Sequence, residues 1–299
     1  MMIHKKTLLW NDDNEAKLMT YVWERSEELQ PNKKRPAVII CPGGAYLGTS
    51  DREAEPVALR FMTAGYQTFV LRYTTYYPTF TMDFSQKGRE EPVLPQALFD
   101  LGKAISMVRE HAKEWNVDPD QIVLCGFSAG GHLVASMGVH WHESFLQEPI
   151  SASNEQLKPN ALILGYPLTD YLVMKEEAEK EVDEGKRELW RVSNQAVFGK
   201  EQPSIEELEG RSPVRFVTEA TPPTFIWHTA DDDLVYARNA LNFATALAKQ
   251  KVPYELHVFE NGVHGLSLSD ETTANDPAQI NQECEVWVDL ALKWLKKRM

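Results

Sequence analysis

Apolar residues follow two different rhythms along this chain. Six short runs are continuously or almost continuously apolar: Ala37–Cys41, Tyr66–Leu71, Gln121–Cys125, Ala161–Leu164, Thr224–Trp227 and Tyr254–Phe259. Short runs without alternation fit strands buried on both faces. Between them the apolar positions take helical spacing. Leu94, Leu98, Leu101, Ile105 and Val108 step by four and three and share one helix face. Ala237, Leu241, Ala244 and Leu247 do the same, as do Trp287, Leu290, Ala291, Trp294 and Leu295. Strands alternating with helices predict βαβ units, and so an α/β fold with a mostly parallel central sheet and helices on both faces. Ahead of these, Thr7–Trp10 and Leu18–Trp23 flank the turn-rich Asn11-Asp12-Asp13-Asn14 and predict an antiparallel hairpin. No internal repeat or low-complexity linker interrupts the pattern, so residues 1–299 are expected to form a single domain.

One stretch breaks the rhythm. Residues 170–215 carry the charged run KEEAEKEVDEGKRELW and no buried-strand pattern. Two readings fit: a lid or cap inserted between two core strands, or a solvated helical excursion with no part in binding.

Composition narrows the function classes. The formal charge is −13, which repels phosphate backbones and anionic membrane surfaces, so neither nucleic acid nor membrane is an expected partner. Three cysteines, Cys41, Cys125 and Cys284, do not make a disulfide framework. The first fifteen residues lack a long apolar stretch and do not read as a signal peptide, and no apolar run is long enough to span a membrane, so a cytoplasmic location is expected.

The chemistry centres on Ile122-Val123-Leu124-Cys125-Gly126-Phe127-Ser128-Ala129-Gly130-Gly131-His132-Leu133. A buried strand leads through Gly-x-Ser-x-Gly into a helix, the nucleophile-elbow pattern. On such a turn the serine backbone is strained and its hydroxyl projects above the sheet edge. Gly126 and Gly130 leave room where a Cβ would meet the neighbouring chain. The following helix aims its first amides at the reaction centre, with Ala129 the expected first oxyanion donor.

A serine hydroxyl needs a base, and in this pattern the chain order is serine, acid, histidine. His228, His257 and His264 lie downstream. His264, in the glycine-flanked loop Asn261-Gly262-Val263-His264-Gly265 after the last apolar run, is the expected base; His257 lies within that run and His228 precedes the acid loop. The acid is expected among Asp231, Asp232 and Asp233, where three adjacent carboxylates cannot all point inward without repulsion. Asp232 is chosen, with its neighbours facing solvent or capping a helix. Cys41-Pro42-Gly43-Gly44-Ala45-Tyr46 follows the first buried run, where a glycine-rich loop turns amides toward an oxyanion; Gly44 and Ala45 are the candidates. Tyr46, Tyr77 and Tyr166 sit near strand ends and are weaker candidates for the pocket wall. Arg52 and Glu53 are expected to pair or to cap a helix. No histidine spacing suggests a metal, and the chemistry calls for no cofactor.

Val38–Tyr46, Arg52-Glu53-Ala54-Glu55-Pro56, the Gly126–Leu133 segment and His228–Asp232 together resemble bacterial acetyl-xylan-esterase-like proteins, members of the esterase-lipase group of α/β-hydrolases. The resemblance runs from about Pro36 to the C-terminus. It implies an esterase for short acyl groups, often acetyl groups on sugars, and supports Asp232, which stands three residues before Val235 as the acid does in the family's Asp-x-x-Val loop. Two positions depart from the pattern: Pro42-Gly43-Gly44-Ala45 stands where related esterases often carry His-Gly-Gly-Gly, and Tyr236 where a proline often follows the valine. The expected activity is therefore serine carboxylesterase, acting on a small-molecule acyl ester through Ser128, His264 and Asp232. A peptidase or amidase on the same fold is the alternative, and a non-catalytic binding protein the more distant one. A homodimer is compatible with the sequence, which specifies none.

Overall fold

The computed structural model describes residues 2–10, 16–28 and 33–299. Eight strands form one sheet in the order β1-β2-β4-β3-β5-β6-β7-β8. They are β1 (Met2–Leu8), β2 (Lys17–Trp23), β3 (Arg35–Cys41), β4 (Gln67–Arg72), β5 (Val117–Phe127), β6 (Ala161–Gly165), β7 (Thr224–Thr229) and β8 (Tyr254–Phe259). The six from β3 to β8 are mutually parallel. β1 and β2 pair antiparallel from Met2 opposite Trp23 to Leu8 opposite Lys17; the expected turn at Asn11–Asn14 lies outside the described residues. β2 also pairs antiparallel with β4, so the hairpin extends the main sheet.

The helices are α1 (Glu55–Thr63), α2 (Gln96–Glu110), α3 (Ser128–His140), α4 (Ser144–Ile150), α5 (Asn154–Leu157), α6 (Tyr171–Ala178), α7 (Glu184–Phe198), α8 (Ile205–Gly210), α9 (Arg238–Lys249), α10 (Gln282–Glu285) and α11 (Trp287–Leu295). Alternate residues of the central strands feed two cores. Val38 and Ile40 join α1 and α11 through Phe61, Trp287 and Trp294 on one face. Ala37, Ile39 and Cys41 join α2, α3 and α9 through Leu101, Leu133 and Phe243 on the other. This is the period-two division that a sheet buried on both faces requires. Among the described residues no helix is long and apolar enough to cross a membrane.

Two local expectations need correcting. In α9 the buried stripe is Ala240, Phe243, Ala244 and Leu247, while Leu241 is 46% exposed. The stripe is rotated so that Phe243 is fully buried in the core and Leu241 faces solvent. β8, expected to be buried on both faces, is an edge strand with Tyr254 and Val258 exposed. The break in rhythm at 170–215 contains α6, α7, α8 and a short 3-10 turn at Pro213–Phe216, all between β6 and β7.

Candidate active site

All parallel strands deliver their C-terminal ends to one edge of the sheet, where loops and helix N-termini meet. β5 ends in an extended Phe127 (φ −121°, ψ 138°), and Ser128 then turns sharply with φ +51°. A non-glycine residue at positive φ is strained and persists only where its surroundings enforce it. The enforcement here is close packing of backbone on backbone. A Cβ on Gly130 would lie 2.0 Å from the Cys41 carbonyl oxygen, and one on Gly126 would lie 2.2 Å from the Gly130 oxygen. α3 is thereby pressed against the end of β3, and Ser128 stands at its first residue.

The loop after β8 brings His264 to that serine. His264 Nε2 lies 2.9 Å from Ser128 Oγ, and Nδ1 lies 2.7 Å from Asp232 Oδ2. A carboxylate can only accept, so Nδ1 carries the hydrogen and Nε2 presents a lone pair to the serine hydroxyl. Asp232 is 3% exposed. Its Oδ1 accepts from the amides of Leu234 and Val235, each at 3.0 Å, which fixes the carboxylate plane. His228, fully buried beneath the acid loop, donates from Nε2 to the Val235 carbonyl at 2.6 Å and lies 3.3 Å from Asp232 Oδ2. Sequence reasoning set His228 aside; it braces the acid loop from below. Asp231 accepts from the Gly262 amide at 2.6 Å, and Asp233, 72% exposed, pairs with Lys186 of α7 at 2.6 Å.

The electrostatics follow from burial and pairing. Burial alone pulls His264 toward its neutral form. The carboxylates of Asp232, Glu53 and Asp233 outweigh it, and the imidazole pKa is raised above its ordinary value. Burial disfavours the Asp232 charge, but His264 and His228 overcome this and hold the carboxyl well below the usual range.

The glycine-rich loop after β3 faces the serine from the other side. Gly44, Ala45 and Tyr46 all have positive φ, at 130°, 55° and 62°. Among the described residues the amides of Gly44, Ala45 and Ala129 donate to no protein acceptor, so they remain free for an anion. The Gly43 amide is taken: it donates to Glu53 Oε2 at 2.7 Å. Tyr46 anchors the loop, because its hydroxyl bonds His132 Nδ1 of α3 at 2.6 Å and His132 Nε2 bonds the Arg211 carbonyl at 2.7 Å. Burial lowers the pKa of His132 to about 4, which keeps this anchor uncharged.

A cleft of about 690 Å³, part of it open solvent, opens at Ser128. Ala45, Tyr46 and Ala129 line its base, and Met174 of α6 with Leu189 and Trp190 of α7 line its outer wall. Of the three tyrosines expected at the pocket wall, only Tyr46 lies there. Tyr77 lines a separate cavity beside Arg72 and Arg89. Tyr166 is sealed below His264, with ring centroids 5.1 Å apart, and its hydroxyl donates to Glu53 Oε1 at 2.6 Å. Glu53, 4% exposed, is the site-adjacent residue that sequence reasoning undervalued; it joins Gly43, ten residues back, to Tyr166, 113 residues on, and no local pattern marks such a link.

Comparison with known proteins agrees with this architecture. Residues 27–247 match the family model described as BD-FAE. The chain is similar to endo-1,4-beta-xylanase B of Butyrivibrio fibrisolvens, at 32% identity over 80% of this chain and 33% of that protein. Across the curated relatives it matches, the chain spans 33% to 61% of their length. Among solved structures, a carboxylesterase from Lactobacillus plantarum superimposes with a TM-score of 0.78 at 28% identity, covering 99% of this chain and 97% of that one. An acetyl ester-xyloside bifunctional hydrolase from Caldicellulosiruptor lactoaceticus gives a TM-score of 0.72 at 30% identity, covering 99% and 96%. With its strand order, its elbow and a family match over most of its length, the chain belongs to the BD-FAE family and has the α/β-hydrolase fold.

Proposed function

We propose that this protein is a serine carboxylesterase that hydrolyses short-chain acyl esters, acetyl groups on carbohydrates among them. The reading rests above all on the unbroken hydrogen-bonded chain from Ser128 Oγ through His264 to Asp232. His264 Nε2 takes the hydroxyl proton as Ser128 Oγ attacks the ester carbonyl carbon. The tetrahedral oxyanion is held by the amides of Ala129 and of Gly44 or Ala45. His264 then gives its proton to the leaving alcohol and the acyl group stays on Ser128; a water, giving a proton to His264, attacks the acyl carbon, and the bond to Ser128 Oγ breaks as His264 returns that proton to the serine, releasing the acid. Asp232 keeps the imidazole in the required tautomer throughout.

The substrate class draws on similarity. One relative, from Xylanibacter ruminicola, is named acetylxylan esterase, at 24% identity over 95% of this chain. The apolar outer wall of Met174, Leu189 and Trp190 suits an acyl group. In this reading the 170–215 excursion acts as a cap, since α6 and α7 supply that wall. The test is a hydrolysis screen of purified protein against p-nitrophenyl acetate, butyrate and octanoate, acetylated xylo-oligosaccharides and an aminoacyl amide. Highest kcat/KM on acetyl esters supports the reading; preference for the amide would replace it with a peptidase.

A further inference from the structure

Glu53 is a buried carboxylate that takes no part in the proton transfer described above, and among the described residues it forms no ion pair. Retaining such a group is costly unless its oxygens are satisfied and its position has a use. Both oxygens are satisfied, and by different loops. Oε2 accepts from the Gly43 amide of the glycine-rich loop at 2.7 Å. Oε1 accepts from the Tyr166 hydroxyl at 2.6 Å, and that hydroxyl accepts from the Ser267 amide at 2.9 Å, three residues beyond His264. The neighbouring Arg52 reinforces the second connection: its Nη2 donates to the Gly265 carbonyl at 2.8 Å, and its own carbonyl accepts from Ser267 Oγ at 2.6 Å. The three-residue turn Asp51–Glu53 thus ties together the two loops that must close on one substrate carbonyl.

We propose that Glu53 is a positioning residue, which fastens the oxyanion loop to the histidine loop and places a buried negative charge one tyrosine ring away from His264. The inference rests on the esterase reading for its kinetic consequences, but not for its electrostatic one. The charged and titratable groups around His264 are Asp232 and Asp233 on the acid loop, His228 below it, Arg52 and Glu53 on the turn, and Tyr166 after β6. Within that set Glu53 adds to the upward pull on the imidazole pKa. Its removal lowers the basicity of His264 and loosens both loops at once.

Three variants separate these roles. Glu53→Gln keeps the size and an acceptor for Gly43 but removes the charge. Glu53→Asp keeps the charge and shortens the reach. Glu53→Ala removes both. Histidine NMR titration in a Ser128→Ala background reads the His264 pKa whether or not the protein is an esterase. Glu53→Gln is expected to lower it measurably, and Glu53→Asp to leave it nearly unchanged. In the active protein Glu53→Gln is expected to lower kcat about tenfold with KM changed less than about twofold, and to move the acidic limb of the pH profile down by the same amount. Thermal melting of each variant separates loss of folding from loss of positioning. An unchanged His264 pKa in a folded Glu53→Gln variant overturns the electrostatic role. A kcat at the wild-type level in both Glu53→Gln and Glu53→Asp overturns the positioning role. Absence of hydrolysis in the wild-type protein refutes the esterase reading and leaves the titration result standing on its own.

Discussion

Asp232→Asn puts the proposed acid to a demanding test, because this carboxylate is used on both sides. Oδ2 accepts from His264 Nδ1, and Oδ1 accepts from the amides of Leu234 and Val235. An asparagine amide has one acceptor and one donor end, so either orientation sets a donor against a donor. With its oxygen toward His264, the NH2 group faces two backbone N–H groups, and the acid loop loses about 1–3 kcal/mol. With its NH2 toward His264, the ring must move its hydrogen to Nε2, and the lone pair that would accept the Ser128 proton is gone. In other serine hydrolases this wrong-tautomer state costs roughly 10⁴ in turnover, equivalent to about 5.4 kcal/mol of barrier. The neighbours give the contrast. Asp231→Asn keeps an acceptor for the Gly262 amide and is expected to cost less than about tenfold. Asp233→Asn removes an exposed pair with Lys186 and the smallest of the three carboxylate pulls on His264, and is expected to stay within about twofold. The assay is kcat on p-nitrophenyl acetate at pH 8, with melting curves for all three variants. The reasoning fails if Asp232→Asn keeps more than a tenth of wild-type turnover, or if either neighbour loses more than Asp232→Asn does.

Further expectations are open to direct measurement. Ser128→Ala should remove hydrolysis and fluorophosphonate labelling while leaving the melting temperature close to wild type; persistent labelling would move the nucleophile elsewhere. Because the His264 pKa is raised, and only its neutral form can act as base, kcat/KM should fall as pH drops through a midpoint above the ordinary imidazole value of about 6.5. A midpoint below that value in a pH–rate profile would contradict the balance of charges described. Gly130→Ala should destabilise the fold by about 3 kcal/mol or more, measured by urea unfolding, because the new methyl carbon would lie 2.0 Å from the Cys41 carbonyl. Trp190→Ala should open the outer wall of the cleft and shift the ratio of octanoate to acetate kcat/KM upward, and an unchanged ratio would separate α7 from acyl selection.

Much of the frame is legible in the chain because its causes are local. The six apolar runs correspond to β3–β8; in β3–β7 this is because a strand buried on both faces writes its environment into consecutive residues, whereas β8 carries its run at an exposed edge. The Gly-x-Ser-x-Gly segment and the Asn261–Gly265 loop announce themselves for the same reason: tight turns need glycine where the turn is. What the sequence leaves unmarked depends on contacts made only in the fold. Glu53 and Tyr166 are 113 residues apart, and neither carries a mark of the other. His228 lies at the end of β7 ahead of the acid loop, and its contact with the Val235 carbonyl carries no mark in the sequence. α9 buries Phe243 rather than Leu241, and helical spacing alone admits neighbouring faces differing by one residue.

The helical excursion after β6 meets the site at several points: Ser193 Oγ donates to the Ala45 carbonyl at 3.0 Å, the Arg211 carbonyl accepts from His132 Nε2 at 2.7 Å, and Lys186 pairs with Asp233, next to Asp232. Its evolution is therefore constrained in a specific way. A transplanted excursion of a different shape would leave the Ala45 carbonyl of the oxyanion loop and the His132 ring that anchors Tyr46 without their partners. New substrate preferences are accordingly easier to reach by point changes along α6 and α7 than by exchange of the whole segment.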